Sequence, residues 1–462
     1  MRPMADTLSQ TDFGHSLLVT DLYQLNMLEA YRSAGMEGTA VFEFFVRRMP
    51  KNRGFLMAAG LEQLIGFLLG ARVDQAEIDW IRNSDTFSDQ LADYLADFRF
   101  TGDVDAVPEG TIIFADEPIV RITAPVAEAQ LIETRLINFL QFQTLVATKA
   151  ARMMLAAPGK GIVDFGLRRA HSGESGVLAA RAAYLAGFNG TASVPAGRHF
   201  DIPLYGTMAH SFVQTFTDEI EAFRAFALAR PEQTVFLLDT YETERAAHRL
   251  VELAPKLHEL GIRLKGVRID SGDLADHSRK VRKILDDGGL GHLQIVVSGG
   301  LDEYELADLT ARKAPIDLYG VGTSLVTSDD LPSLDCGYKL KAYEGMARRK
   351  LAEGKSYWPG ATQVWRSLDE EGRIAGDRIT GANETAPGEA LLKPILRDGA
   401  LVEPLPDLAA IRTHAAAELA RLPEPLKRLE GTPAYPITVS PALRKLADEL
   451  LHEPHGRSME AC

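Results

Sequence analysis

Cysteine is almost missing from this chain. Only Cys336 and Cys462 occur in 462 residues, which excludes a disulfide framework and a four-thiolate zinc site and suggests a reducing compartment, the cytoplasm. Long apolar runs are missing too, since none reaches the ~18 residues a membrane span needs. The opening MRPMADTLSQTDFGHS lacks the basic and apolar regions of a secretory signal. No low-complexity tract or short-period repeat occurs. Basic charge is in deficit. Fifty Lys and Arg face 64 Asp and Glu, a net charge of -14, and the pI is about 5.4. That balance argues against a general nucleic-acid binder. It leaves small anionic ligands open, because local donors hold them whatever the net charge.

What is present is ordinary globular composition, 46% hydrophobic and 25% charged, at a length that predicts two or three units. The middle of the chain has a rhythm. Apolar, β-branched runs occur at GIVDFG (161–166), FNGTASV (188–194), IPLYG (202–206), TVFLLDT (234–240), LKGVRID (264–270), LQIVVSGG (293–300) and IDLYGVGTS (316–324). Helical patterns lie between them, most clearly at 242–261 and 273–289, and a further one, FVQTFTDEIEAFRAFAL, follows His210. Strand and helix alternating at roughly 25–30 residues is the signature of βαβ units in a parallel sheet. Seven such runs predict an α/β barrel, closed or nearly so, over 126–330. The flanks, 1–125 and 331–400, mix short strands with helical patterns and are expected to build one β-rich domain together. Residues 401–462 read as a Pro-punctuated helical segment whose last ten residues fray.

In a parallel barrel the active site gathers at the C-terminal strand ends, and the unusual polar residues of this chain sit there. Ser298-Gly299-Gly300 and the Gly322-Thr323-Ser324 turn suit a phosphate approached by backbone N–H groups. Arg268 offers a fork for phosphate, and Asp270 suits a ribose diol or a water-bridged Mg²⁺. Alternatively the two simply pair with each other. Asp273 suits the cap of the next helix. Phe165 either stacks on a planar ring or belongs to the core. Of Arg168 and Arg169, neighbours on an extended strand, only one is expected to face the mouth. His210 stands where a strand gives way to a helix, which suits a nucleophile, a shuttle or a plain helix start. Asp239, on the next strand end, is placed to orient the imidazole. A metal role for His210 is disfavoured, although loop residues His171 and His199 could approach it.

With these residues assembled, the chain resembles the nicotinate phosphoribosyltransferase family. TDLYQLNML (20–28), FEFFVRRMPKNRGFLMAAGLEQ, FGLRRAHSGESG, GTMAHSF, LLDTYET, GVRIDSGDL, SGGLDE and YGVGTSLVT carry the likeness, in order, to near residue 370. The resemblance implies an irregular α/β barrel of the type II phosphoribosyltransferase kind with an attached β-rich domain, and a homodimer with shared sites. It implies a reaction joining nicotinate to phosphoribosyl pyrophosphate, with Mg²⁺, coupled to ATP through a phosphohistidine at His210 that Asp239 orients. Phosphate and ribose contacts fall on Arg268, Asp270, Ser271, Gly272, Ser298, Gly299, Gly322 and Thr323. The nicotinate contacts fall on Phe165 and Arg168, with Tyr23 closing the ring sandwich from the partner subunit.

This chain departs from the pattern in two places. The GTASV stretch carries Ala192 and Ser193 where nicotinamide-specific relatives place an Asp, which favours the acid as substrate. In KLAEGKSYWPGATQVWR, Ala352, Tyr357, Ala361 and Thr362 replace residues more often Ser, Thr or basic, while Lys350, Lys355 and Arg366 remain as basic groups for a phosphate-facing loop. Competing readings are a non-catalytic phosphoribosyl or nucleotide sensor and a Schiff-base lyase. The lyase is disfavoured because Lys265, the only lysine within these runs, starts its strand rather than ending it.

Overall fold

The computed structural model describes residues 16–350 and 357–452, and the backbone of 457 and 458. Ala352, Lys355, Cys462 and nearly all of the last ten residues lie outside the described residues. The chain forms two compact units, Leu145–Pro332 and the pair Met1–Thr144 with Ser333–Cys462.

The middle unit holds six parallel strands: β1 (Gly161–Asp164), β2 (Gly190–Thr191), β3 (Thr234–Leu237), β4 (Leu264–Ile269), β5 (Gln294–Ser298) and β6 (Leu318–Val321). They lie in the order β2-β1-β6-β5-β4-β3. That is chain order wrapped round, with β6 brought back beside β1 in register Leu318↔Gly161 to Val321↔Asp164. Ile162, Val163, Phe236, Leu237, Val267, Ile269, Ile295, Val297 and Val321 are buried to 0% exposure, as expected of a parallel sheet covered on both faces. The seventh run, IPLYG, contributes a single bridge, Leu204 to Thr191. Pro203 has no N–H to extend a ladder, and only its carbonyl is used, accepting from Thr191 N at 3.1 Å. The sheet is therefore a curled, incomplete barrel, and among the described residues nothing pairs the 202–206 run with β3.

The two clear helices form as expected, Thr243–Glu259 and Leu274–Asp287. Asp273 caps the second, accepting from the N–H groups of Ala275 and Asp276. The pattern after His210 does not stay one helix. It breaks into His210–Gln214 and Glu219–Ala229. The Thr215 hydroxyl donates back to the Phe212 carbonyl, and Asp218 restarts the chain by accepting from Ile220 N at 2.9 Å.

The flanking unit interleaves both ends of the sequence. Thr39–Val46 pairs antiparallel with Val120–Pro125 on one side and with Cys336–Tyr343 on the other, within an eight-stranded sheet that also takes in Lys393–Arg397. A four-stranded sheet centred on Thr362–Leu368 and Ile374–Gly381 stands beside it in the same unit. Arg366, expected on a phosphate-facing loop, is instead 1% exposed in its side chain. Its guanidinium is held by Asp377 at 2.6 Å and Glu418 at 3.2 Å, so none of its charge is left for a ligand. The outward and inward faces of a strand alternate, and Arg366 falls on the inward one.

Glu117 joins this buried cluster, accepting from Phe114 N at 2.9 Å. Burial, and after it the Asp377 carboxylate, pushes the Glu117 carboxyl well above the usual range, with Arg366 opposing. The unfolded chain releases this proton near the ordinary glutamate value of ~4.3, while the folded chain retains it. Stability is therefore lost as pH rises from there towards the raised folded value. Glu117→Gln should flatten that decline and leave Tm at neutral pH equal to or above wild type. A Tm several degrees lower would show that the folded protein uses an ionised Glu117. Asp377→Asn, which strips Arg366 of its main partner, should cost about 3–5 kcal/mol in denaturant unfolding.

Candidate active site

The first strand end is shaped by Asp164. This buried carboxylate accepts from Gly166 N at 2.7 Å and from the Thr191 hydroxyl at 2.6 Å. Burial raises its carboxyl, against the lowering effect of those two donors. The two bonds pull the chain after Phe165 into a single 3₁₀ turn, Leu167–Arg169. The expectation that Arg168 and Arg169 face opposite ways fails for that reason: on a turn, unlike a strand, both line one cleft. Phe165 also lines it, anchored by its N–H on Val321 O at 2.7 Å. A Cβ on Gly320 would lie 2.5 Å from the Phe165 ring, so the glycine gives the ring its seat.

Arg268, Asp270 and Ser298 form the opposite wall. The Arg268 side chain donates through Nε to Ser298 Oγ at 2.8 Å and through Nη2 to Asp270 Oδ1 at 2.7 Å, while Ser298 Oγ itself donates to that same Oδ1. The Arg268–Asp270 pair left open by the sequence is thus formed, and it borders the cleft. Asp270 Oδ2 accepts no protein hydrogen bond among the described residues and remains available. Burial pushes the Asp270 carboxyl up, but the Ser298 hydroxyl, Arg268 and the nearby His210 together hold it below the usual carboxylate range. The Arg268 guanidinium lies 5.6 Å from the Phe165 ring centre, so the two walls meet.

Gly299 has φ +100, and a Cβ there would stand 2.1 Å from the Asp270 carbonyl oxygen. Gly322 and Thr323 open a five-residue helix on the next strand end. The cleft measures about 290 Å³, and Phe165, Arg168, Arg268, Asp270, Ser298, Gly299, Gly322 and Thr323 all line it. It also takes in Gly300 and Ser324, from the two turns expected to suit phosphate, and Arg169, Leu301, Gly320 and Asp329, which the sequence did not mark as ligand contacts. Asp329 is the least expected. It is held at 3.2 Å by Lys149, whose ammonium is buried, a partnership across 180 residues with no local signal.

Five of the expected residues stand outside the cleft lining. His210 opens its short helix with Nε2 3.3 Å from Asp239 Oδ1. Asp239 is 3% exposed in its side chain, and its other oxygen accepts from Asp270 N at 3.1 Å and from the Ser271 hydroxyl at 2.5 Å. The contact joins the chain after the 202–206 run to the end of β3, the two flanks of the opening in the barrel wall. Ser271 thus serves Asp239. Gly272, at φ +80, sits where a Cβ would meet the His277 ring at 2.6 Å, and His277 is fixed by Glu244 at 2.9 Å. Tyr23 belongs to the other unit, half exposed on the helix Leu22–Ser33. His199 lies in the helix Val194–Phe200 rather than in a loop. No group of three His, Cys, Asp or Glu suited to a metal ion occurs among the described residues.

Gly299→Ala tests whether the backbone approach at β5 shapes the cleft. The added methyl must displace the Asp270 carbonyl and occupy a positive φ, so stability should fall by roughly 1–3 kcal/mol. Affinity for a phosphorylated ligand should weaken with it. Unchanged Tm and ligand affinity would show that the close approach is dispensable.

Comparison with known proteins gives the family. Residues 161–353 match the nicotinate phosphoribosyltransferase (NAPRTase) family, residues 18–141 its N-terminal domain and residues 388–447 its C-terminal domain. A nicotinate phosphoribosyltransferase of Mycobacterium tuberculosis is 44% identical over 446 residues, covering 96% of this chain and 95% of that protein. The Bacillus subtilis nicotinate phosphoribosyltransferase is 35% identical over 476 residues, covering 96% of each. The crystal structure of human nicotinic acid phosphoribosyltransferase superposes with a TM-score of 0.85 at 31% identity, covering 93% of this chain and 99% of that one. No helix among the described residues is long and apolar enough to cross a membrane. This chain belongs to the nicotinate phosphoribosyltransferase family.

Proposed function

We propose that the protein forms nicotinate mononucleotide and pyrophosphate from nicotinate and phosphoribosyl pyrophosphate, and that ATP hydrolysis drives the reaction through phosphorylation of His210. The observation that carries the reading is the meeting of Phe165 and Arg168 with Arg268, Asp270, Ser298 and the glycine turns in one cleft. An aromatic ring beside an arginine suits a planar aromatic carboxylate. The glycine turns suit phosphate, and the open Asp270 oxygen suits a ribose hydroxyl or a water on a phosphate-bound Mg²⁺.

The pyridine nitrogen of nicotinate attacks C1 of the ribose, the bond from C1 to the pyrophosphate oxygen breaks, and pyrophosphate carries the electron pair away. The nitrogen is already nucleophilic, so no strong base is required. Catalysis is positioning and neutralisation of the leaving charge, to which Arg268 and the backbone donors of the Ser298 and Gly322 turns contribute. Asp270 would hold a pyrophosphate-bound Mg²⁺ through water, and the ion would supply further neutralisation of the leaving charge. Ala192 and Ser193 leave that loop without the carboxylate that would repel nicotinate. Asp164, which bonds to the adjacent Thr191, is turned inward on its own two donors.

At His210, Asp239 holds the proton on the nitrogen facing it and leaves the Nδ1 lone pair free. That lone pair attacks the γ-phosphorus of ATP, an N–P bond forms as the bridging P–O bond breaks, and ADP departs. Water later cleaves the N–P bond and releases phosphate. Asp239 suits the task because two donors already fix its second oxygen. The proposal includes a cytoplasmic homodimer that shares its sites through Tyr23.

Arg168→Ala should raise KM for nicotinate by about 10–100-fold, the loss of a charge-assisted pair worth ~1.5–3 kcal/mol, with KM for the phosphoribosyl donor little changed. Equal effects on both would remove Arg168 from the base pocket. With nicotinate and nicotinamide supplied together, the wild-type product should be nicotinate mononucleotide by mass. His210→Ala should abolish ATP hydrolysis and acid-labile phosphoenzyme while leaving some ATP-independent product. Full coupling in that variant would refute the phosphohistidine.

A further inference from the structure

The end of the middle unit opposite the cleft holds a larger cavity, about 950 Å³, between the last turns of Thr243–Glu259 and Leu274–Asp287 and the starts of β4 and β5. Four basic side chains line it: His258, Arg263, Lys265 and His292. None makes an ion pair or side-chain hydrogen bond among the described residues, and no carboxylate lines the cavity with them. The cations of the adjoining helix behave differently. Lys280, Arg282 and Lys283 each reach an aspartate four residues away. In a chain of net charge -14, this lining is locally basic.

The helix ends do not account for these charges. Basic residues commonly serve the unsatisfied carbonyls of a last turn, but here the chain itself takes them up. Ile262 N bonds to Leu257 O, Gly261 N to His258 O, Gly288 N to Ile284 O, and Leu290 N to Leu285 O at 2.7 Å. Arg263, Lys265 and His292 moreover stand outside both helices. The walls are built rather than loose. The Arg282 guanidinium donates to Leu293 O at 2.8 Å and to Leu290 O at 3.2 Å, and Gly288 packs so closely on Val251 that a Cβ would come within 2.5 Å of it. Val251, Pro255, Ile262 and Leu290 give the cavity an apolar side as well.

From this we infer a second ligand site, for a nucleotide, at the N-terminal end of the barrel sheet. Arg263 and Lys265 take the phosphates, and the apolar wall takes the base. The volume lies at the upper end of the range for small-molecule sites, roughly 300–1,000 Å³, enough for a nucleoside diphosphate. Lys265 stands at the wrong strand end for the cleft chemistry, and this site gives it a role. The inference does not depend on which reaction the cleft performs.

Hydrogen–deuterium exchange on the full chain with millimolar ADP tests it. Slowed exchange is expected at 257–265 and 288–294, separate from any change at the cleft loops 165–169, 298–301 and 320–324. The double variant R263E/K265E should lose that protection and weaken ADP binding there by at least about 10-fold, ~1.4 kcal/mol, with turnover and Tm as in wild type. Should the double reversal lower Tm, K265Q provides the same reading at smaller amplitude. Protection confined to the cleft loops, or persisting in the charge variants, overturns the site. Inorganic phosphate protecting these segments as fully as ADP would overturn the nucleotide assignment, because the base would then contribute nothing.

Discussion

The bonded group of Arg268, Ser298 and Asp270 is the interaction on which the candidate active site depends. It ties the end of β4 to the end of β5, and each further element of the site leans on it. The Asp270 amide and the neighbouring Ser271 hydroxyl orient Asp239, which in turn meets His210. The Asp270 carbonyl excludes any side chain at Gly299. The Arg268 guanidinium approaches Phe165 on the opposite wall. A half-buried ion pair contributes little to net stability once desolvation is counted, yet loss of one partner leaves a charge uncompensated. Its value here is geometric, since a network satisfied at each member holds its groups in one arrangement.

The incomplete barrel has a local cause with a functional consequence. Pro203 cannot extend the ladder, and Leu204 is left with one bridge. The chain between that bridge and the helix His210–Gln214 is consequently free of sheet register. It can place an imidazole beside the end of β3, where a closed barrel would place a strand. A helix of five residues is too short to be stable alone, so His210 is positioned by Asp239 and by the packing of Val213, fully buried, more than by helix propensity. The break at Thr215–Asp218 is set locally, by the Thr215 hydroxyl on the Phe212 carbonyl and by Asp218 capping the next helix.

Much of this was legible from residue order alone. β-Branched runs mark the six strands, since a strand buried on both faces must be apolar throughout. Their ends stood out because glycine, arginine and aspartate there break that rule. Local capping signals located Asp273 and the two long helices for similar reasons. What escaped was set by distant partners. The turn that brings Arg168 and Arg169 to one side depends on Thr191, 27 residues beyond Asp164. Arg366 reads as a free basic group until Asp377 and Glu418 are seen around it. Asp329 gains its place from Lys149. The four basic residues of the second cavity are scattered between 258 and 292, one in the last turn of a helix and three on or just before strand starts, and only folding gathers them.

An acidic protein that binds acidic substrates must deal with its own carboxylates first. At the cleft this is done one by one. Asp164 is consumed by a hydroxyl and a backbone N–H, one oxygen of Asp270 is held by Arg268 and Ser298, and Asp329 is held by Lys149, which Glu303 and Asp330 also share. Arg168 and Arg169 make no ion pair among the described residues, so the uncompensated charge at the mouth is positive although the chain as a whole is negative. A local field of that sign in a walled cleft attracts anions over distances comparable to the Debye length, about 8–10 Å at physiological salt. Beyond that range the net charge of the protein is screened. The sign of the whole chain therefore places little restriction on its substrates, and the pairing of three carboxylates decides what the cleft admits.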